Sequence, residues 1–384
     1  MVIVREPGGS STGPAALVLA ALVLLIAVGC AQVPAEPEPL RFVAVDLPAG
    51  ARPQVLAVAG DDLLIGVRRD DQPGILRRTE DGIVTEIPTE PASPYGRTAA
   101  WYSLATDGEH VLGVGGDRGG AHGNVRWSVW SGGLAAVTEQ AQAFSTFGGW
   151  GAGDLVGGVL TPAGPALVGS WQSTGAGLDV TLWTATGDTW TRHDPTGTPL
   201  ASTRSLLGFP TAATTSGPGI LVVGWQFAAG PQGHGQQPVV WRSDAGGEGW
   251  TRTTLPDAGA AGAAAAARCS ADTCLVVGRV DGEVALWRST AGTWTRIPGL
   301  PPIAVGDDDP LPAPLTSGQR WDLFVPEAGR LKVVTGDGTS TVVRPVEGPA
   351  GSVTSAAQVG GSVYLLAGPD PSALQLWRAD SATG

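Results

Sequence analysis

A repeated pattern of short apolar strands limits the possible folds more than any other feature of this sequence. Each copy begins with a run of small residues, continues with a second apolar run, and ends in two strands joined by a turn. The third strand of each copy carries a large apolar residue, which we call its anchor. The anchors are Leu76, Trp130, Trp183, Trp241, Trp287, Val333 and Trp377.

The spacing of the anchors indicates the kind of repeat. Successive anchors are between 44 residues (Val333 to Trp377) and 58 residues (Trp183 to Trp241) apart, which leaves room for four short strands per unit. Four strands in about fifty residues are typical of a propeller blade. No unit contains an apolar stripe of helical period, which excludes helical solenoids. The sequence therefore predicts an all-β fold, a seven-bladed β-propeller, over residues 40–384.

The seventh unit lacks its outer strand, because only residues 379–384 follow Arg378. The segment from Arg41 to Pro48 has the pattern of the fourth strands in the other units, and it ends in proline as they do. An open strand edge invites aggregation. We therefore expect the N-terminal strand to close the last blade.

The first 39 residues are typical of an export signal followed by a tether. Arg5 precedes an unbroken apolar run over residues 15–28, too short to span a membrane and of the length of a signal-peptide core. The end of the run resembles the bacterial lipobox, with alanine where leucine is usual, three residues before Cys30. This resemblance implies a signal peptide over 1–29, a lipid on Cys30 and a Pro-rich tether over 30–39. The alternative is an ordinary secretory signal with an unrelated cysteine.

Charge and composition exclude several classes of partner. The net charge is −12, Lys332 is the single lysine, and there is no basic tract, so nucleic acid and anionic membrane surfaces are poor partners. We expect an extracytoplasmic protein held at the outer face of the membrane by its lipid. The bias toward arginine and alanine is typical of a GC-rich bacterium, and we expect an actinobacterial source. No phosphate loop or nucleophile elbow occurs, so no cofactor is expected.

The two remaining cysteines agree with export. Cys269 and Cys274 flank a turn-like stretch between two apolar runs. Residues that flank a hairpin turn lie opposite each other, within reach of a disulfide. Exported proteins permit that bond. A zinc site is disfavoured, because no second cysteine pair or nearby histidine completes four ligands. We therefore predict a disulfide.

One turn between third and fourth strands resembles the Asp-box (BNR) repeat of sialidase-like propellers. That pattern is Ser-x-Asp-x-Gly-x-x-Trp, and Ser243, Gly247 and Trp250 have its spacing. Asp244 lies one position early, and Ala245 stands where the aspartate belongs. The resemblance covers most of the mature chain and implies a fold more than an activity.

The same resemblance gives an alternative function, a sialidase-type glycoside hydrolase. It implies three arginines for the substrate carboxylate, an acidic aspartate, and a tyrosine activated by a glutamate. The sequence Arg-Ile-Pro, a mark of sialidases, occurs at 296–298, but on a fourth strand where the repeat itself explains it. No glutamate partner can be assigned to a tyrosine, so we expect no catalytic residues. The arginine candidates are Arg52, Arg97, Arg118 and Arg204, and the tyrosine candidates are Tyr95, Tyr102 and Tyr364.

Metal sites are not expected. His122, His193 and His234 lie in or beside loops of three successive units, and nothing fixes their geometry. The run 307–309 contains three aspartates without the spaced ligands and glycine of a calcium loop. Solvated loop residues account for both patterns.

Binding is expected on the face that carries the longest loops, because binding residues concentrate in long loops on rigid scaffolds. Trp171 and Trp225 each end a second strand there and are followed by Gln172 and Gln226. Two tryptophans side by side with adjacent amides can stack on a sugar or a peptide. Packing within the repeat is the alternative. We predict a non-catalytic scaffold or binding module for a cell-surface protein or glycan. The long loops are 117–124, 140–153, 172–179, 195–204, 226–237 and 301–312.

Overall fold

A computed structural model describes residues 37–119, 124–228, 235–270 and 273–380. They form seven small, mainly antiparallel sheets, and three of these sheets gain a further strand from a segment that precedes the blade in the chain. The compact unit begins at Pro39. The predicted seven-bladed propeller is therefore confirmed. The signal peptide, Cys30 and nearly all of the tether lie outside the described residues.

The elements follow the predicted order. The N-terminal segment contains β1 (Leu40–Arg41) and β2 (Val43–Ala44). Blade 1 contains β3 (Arg52–Ala59), β4 (Asp62–Arg69), β5 (Gln72–Arg78) and β6 (Val84–Ile87). After β7 (Thr89–Glu90) and α1 (Pro94–Arg97), blade 2 contains β8 (Ala100–Thr106), β9 (His110–Arg118), β10 (Val125–Gly133) and β11 (Ala136–Glu139). After α2 (Phe144–Phe147), blade 3 contains β12 (Ala152–Thr161), β13 (Gly164–Gln172), β14 (Leu178–Thr186) and β15 (Thr189–Arg192).

The second half of the ring repeats this arrangement. Blade 4 contains β16 (Leu206–Ser216), β17 (Gly219–Ala228), β18 (Gly235–Arg242), a 3-10 turn (Ala245–Gly247) and β19 (Thr251–Thr254). Blade 5 contains β20 (Gly262–Ser270), β21 (Thr273–Val280), β22 (Glu283–Thr290) and β23 (Thr293–Arg296). Blade 6 contains β24 (Leu315–Ser317), β25 (Arg320–Glu327), β26 (Arg330–Gly336) and β27 (Thr341–Ala350). Blade 7 contains β28 (Ser352–Val359), β29 (Ser362–Gly368) and β30 (Gln375–Asp380).

The anchors lie in the apolar layers between neighbouring blades, which explains why their strands are apolar on both faces. The indole N–H groups of three anchors also hold the linker that enters their own blade. Trp183 donates to the carbonyl of Thr146 at 2.9 Å, Trp241 to that of Pro199 at 3.1 Å, and Trp287 to that of Pro256 at 2.8 Å. Each of these three anchors therefore fixes both the packing of its blade and the path of the chain into it.

The N-terminal segment closes blade 7, as predicted, but over a shorter stretch. β2 pairs antiparallel with β30, and the N–H of Val45 donates to Leu376 at 2.8 Å. β1 instead pairs in parallel with β27 of blade 6. The reason is Phe42, whose buried side chain packs between blades 6 and 7 and whose N–H donates to Glu347 at 2.9 Å. The segment therefore links both blades.

The predicted disulfide is present between Cys269 and Cys274, which lie opposite each other in the β20–β21 pair. Their Cα atoms are 4.0 Å apart. Among the residues that the structure describes, no helix is long and apolar enough to cross a membrane.

Candidate functional site

A groove lies on the predicted loop face, between blades 2 and 3. Its volume is about 680 Å³, and an adjacent cavity of about 240 Å³ shares part of its wall. The walls come from the ends of β9 and β10 and from the linker into blade 3, which belong to two of the predicted long loops. The groove residues used below are Arg118, Asn124, Arg126, Trp127, Phe144, Trp150 and Asp154, with Tyr95 and Glu139 in the adjacent cavity.

Exposed aromatic rings distinguish this groove. Trp150 is 92% exposed, Phe144 is 55% exposed and Tyr95 is 47% exposed. Scattered apolar residues are normal on a protein surface, whereas several large rings around one cavity mark an interaction site. The groove therefore offers stacking surfaces that the fold itself does not use.

Arg126 lies between two of these rings. Its guanidinium carbon is 4.6 Å from the centroid of Phe144 and 5.9 Å from that of Tyr95. Its Nε is buried and has no hydrogen-bond partner in the described structure. A cation over aromatic faces is held by their quadrupoles. The positive charge of Arg126 therefore remains in the groove, and its Nε makes no hydrogen bond within the described structure.

The linker into blade 3 is fixed by buried aromatic contacts beneath the groove. Phe147 is buried and lies 6.3 Å from the ring centroids of both Trp183 and Trp190. The N–H of Gly148 donates to the carbonyl of Phe144 at 2.8 Å, which ends α2. These contacts present Phe144 to solvent on a rigid support.

Trp150 is positioned by two of the predicted binding residues. The N–H of Gln172 donates to the carbonyl of Gly151 at 2.7 Å. The indole of Trp171 lies so close to Gly151 that a Cβ there would be 2.7 Å from its Nε1. The other contacts of Trp171 are with Arg192, 4.0 Å above its ring, and with Trp183. Trp171 therefore packs under the loop that presents Trp150.

The opposite wall is held by the buried carboxylate of Glu139. One oxygen accepts the N–H groups of Ala92 and Ser93, both at 2.7 Å, and the other accepts the hydroxyl of Ser93 at 2.6 Å. The same hydroxyl accepts the N–H of Gly96 at 2.9 Å and caps α1. Glu139 therefore fixes the turn that carries Tyr95.

The expected equivalence of Trp171 and Trp225 is wrong by one position. The anchor Trp183 pairs with Leu167 on the second strand of blade 3, and Trp171 lies four residues after that partner. The anchor Trp241 pairs with Val222 on the second strand of blade 4, and Trp225 lies only three residues after it. A shift of one residue turns a side chain to the other face of a sheet. Trp171 packs in the layer between blades 2 and 3. Trp225 lies two residues after Val223 and therefore on the same face of β17, and Val223 packs in the layer between blades 4 and 5. The two rings are therefore not side by side.

Trp225 and Gln226 belong to a separate patch on blade 4. The ring of Trp225 stacks on Phe209 with centroids 3.9 Å apart. The amide of Gln226 is buried, donates to Gln237 at 3.1 Å and to Thr254 at 2.9 Å, and accepts from Arg252 at 2.8 Å. Burial lowers the pKa of Arg252 to about 10. Ligand binding by these residues stays a prediction.

The arginines considered for a sialidase do not share one cavity. Arg118 lines the groove, and none of Arg52, Arg97 and Arg204 lines it. Arg52 is paired with Asp71 at 3.0 Å. Tyr364 is buried, and its hydroxyl accepts from Arg78 at 2.7 Å.

No cluster that could hold a metal ion occurs among the described residues. The ring of His193 is hydrogen-bonded to the hydroxyl of Thr184 at 2.6 Å. His122 and His234 lie outside the described residues. Asp307 lies 3.7 Å from Arg279.

Comparisons with known proteins identify the fold alone. No model of a known protein family matches the chain, and no curated protein does. Similar solved structures include the polysaccharide lyase Uly1, with 12% identity over 92% of this chain and 94% of that chain and a TM-score of 0.51. The β-propeller domain of the Trilobed protease from Pyrococcus furiosus has 11% identity over 86% of this chain and 95% of that chain, with a TM-score of 0.50.

Sialidases are also among the similar structures. A Hadza microbial sialidase has 13% identity over 82% of this chain and 75% of that chain, with a TM-score of 0.49. Similarity at this level carries no argument about activity. What is shared is the propeller scaffold, which supports many unrelated functions.

The sequence did not single out Phe144 or Trp150 as site residues. A signal was present: both lie in a long loop, next to glycines or small residues, and away from the repeat anchors. Aromatic residues that a repeat does not require are candidates for binding.

Proposed function

We propose that this protein is a non-catalytic, lipid-anchored binding protein of the cell surface and that its ligand is a glycan held in the groove between blades 2 and 3. The observation that carries the proposal is Trp150, whose ring is 92% exposed at the rim of a cavity of about 680 Å³. That volume lies within the usual range of about 300 to 1,000 Å³ for ligand sites.

The chemistry of the groove suits a sugar. Sugar rings have apolar faces that stack on aromatic side chains, and Trp150 and Phe144 offer such surfaces. Sugar hydroxyls need hydrogen-bond donors and acceptors, which Arg126, Asn124 and Asp154 supply along the same wall. A few polar groups fix the orientation of a ligand while the aromatic area supplies affinity.

Binding rather than hydrolysis is favoured by the carboxylates of this region. Hydrolysis of a glycosidic bond usually needs two carboxyl groups that flank the scissile bond. Two carboxylates line the groove and its adjacent cavity. Asp154 is exposed, whereas Glu139 is buried and accepts three hydrogen bonds from the α1 turn. Turnover of a fluorogenic sialoside would contradict the proposal and favour the sialidase alternative.

The experiment is a glycan array probed with a soluble form that begins at Pro37, followed by titration of the best glycan. Trp150→Ala should weaken binding about 2- to 10-fold, because one aromatic contact contributes roughly 0.5 to 1.5 kcal/mol. The matched control is Phe227→Ala, which removes a ring of 41% exposure on blade 4. Equal affinities of the wild type and Trp150→Ala would refute the groove.

The membrane location rests on the lipobox resemblance at Cys30 and on the tether after it. The disulfide between Cys269 and Cys274 supports an oxidising compartment. Cys30→Ala should move the protein from the membrane fraction to the soluble extracytoplasmic fraction. Unchanged fractionation would show that Cys30 is not the anchor.

The Asp-box resemblance is also supported by local geometry in blade 4. The hydroxyl of Ser243 accepts the N–H of Ile220 at 2.9 Å, and the indole of Trp250 donates to the carbonyl of Gly247 at 2.6 Å. Two of the motif residues thus brace the turn from both sides. We take this turn as a degenerate copy of the motif with a structural role.

A further inference from the structure

Among the described residues that line the central channel of the propeller, one carries a charged side chain. The innermost strands of six blades line a chamber of about 280 Å³, and a second chamber of about 410 Å³ lies next to it. Arg268 and Val58 line both chambers. Among the described residues that line these chambers, Arg268 is the only charged one.

Two backbone carbonyls fix the orientation of Arg268. Its Nε donates to Pro314 at 2.7 Å, and its Nη2 donates to Ala356 at 3.2 Å. The first contact lies just before β24, which is only three residues long and is the shortest innermost strand of the ring. Arg268 thus reaches from blade 5 across blade 6 to blade 7, and its guanidinium is held in place without a ligand.

The two carbonyls do not use the full capacity of the guanidinium. It carries five N–H donors, and two of its three nitrogens have acceptors in the described structure. Nη1 has no acceptor among the described residues and keeps some solvent contact, and Arg268 lines both chambers. Burial lowers the pKa of Arg268, because desolvation disfavours the charged guanidinium, and an anion beside it would offset that cost.

We propose that the channel binds a small oxyanion, such as sulfate, phosphate or a carboxylate, at Nη1 of Arg268. Hydrogen bonds between a guanidinium and an oxyanion are charge-assisted and about twice as strong as neutral ones. The second chamber adds hydroxyl and amide donors from Thr316, Ser317 and Gln358. Each chamber is many times larger than the roughly 30 Å³ of a water molecule. This site is independent of the groove between blades 2 and 3.

The test is the thermal stability of the full chain in rising sulfate or acetate against chloride, at constant ionic strength. Binding to the folded state should raise the Tm of the wild type by roughly 2 to 3 °C at ten times the Kd, and the rise should continue with the logarithm of the anion concentration. Arg268→Met should remove this rise and keep only the general stabilisation that sulfate gives to any folded protein. The control is Arg279→Met. Arg279 lies outside the channel and also donates to a backbone carbonyl, that of Gly306 at 2.6 Å. The Tm of this variant should rise with the anion as that of the wild type does.

Two results overturn the proposal: no rise in the Tm of the wild type with either anion relative to chloride, or an equal rise in Arg268→Met. If Arg268→Met does not fold, wild-type crystals soaked in selenate decide the question. An anomalous peak beside Nη1 of Arg268 supports the site, and a channel without one overturns it.

Discussion

Replacing Phe42 with alanine should weaken the closure of the ring. The Phe42 side chain is 5% exposed, lies 5.9 Å from the ring centroid of Phe324 in an edge-to-face pair, and belongs to the apolar layer between blades 6 and 7. Replacement of a buried phenylalanine by alanine costs about 3 to 5 kcal/mol through lost burial and the cavity left behind. We expect about 3 kcal/mol, because the strand that it holds in place has only two paired residues.

The assay is thermal unfolding followed by circular dichroism. With an unfolding entropy of about 2.1 cal/mol/K per residue, a loss of about 3 kcal/mol lowers the Tm of a domain of this size by about 4 °C. The control is Val43→Ala, in the same segment but with a side chain that is 63% exposed, which should cost no more than about 0.5 kcal/mol. Equal Tm shifts for the two variants would show that Phe42 does not fasten the ring.

Two further predictions concern carboxylates. Glu139→Gln should lower the unfolding free energy by about 1 to 3 kcal/mol, because it replaces charge-assisted hydrogen bonds from the α1 turn with neutral ones. Chemical denaturation measures this loss. An unchanged unfolding free energy would show that the turn does not depend on the charge. The hydrogen bond and charge of Asp107 raise the pKa of His110, whereas the backbone N–H of His110 is the main cause that lowers the pKa of Asp107 to about 2. The contribution of His110 to stability is therefore present below its unfolded pKa of about 6.5 and is lost as the pH rises through its folded pKa, while that of Asp107 is lost as the pH falls toward 2. NMR titration should place the pKa of His110 above 6.5 in the wild type and lower in Asp107→Asn. Equal titration midpoints in the two proteins would contradict the pairing.

The blade pattern could be predicted from the sequence because the anchors of most blades pack between their own blade and the preceding one. Trp183, Trp241 and Trp287 all lie between blades and all hold a linker through their indole N–H. A feature that recurs for one physical reason leaves a period in the sequence. The closing strand could also be predicted. The burial of Phe42 could not, because it depends on contacts with blades 6 and 7, which are far from Phe42 in sequence.

The candidate site was harder to predict because it lies where the repeat is interrupted. Trp171 and Trp225 look equivalent in the sequence because each follows an apolar run and precedes a glutamine, and the pairing with the third strand reveals the one-residue offset. Phe144 and Trp150 lie in a linker whose course is set by contacts with the next blade, such as the one between Phe147 and Trp190. No local pattern encodes such contacts.

A crystal structure of the soluble form with the best oligosaccharide from the array would show whether the groove between blades 2 and 3 receives a glycan. We expect a sugar ring stacked on Trp150, with hydroxyl groups in reach of Arg126 and Asp154. A sugar bound only in the central channel or over Trp225, with an empty groove, would contradict this expectation.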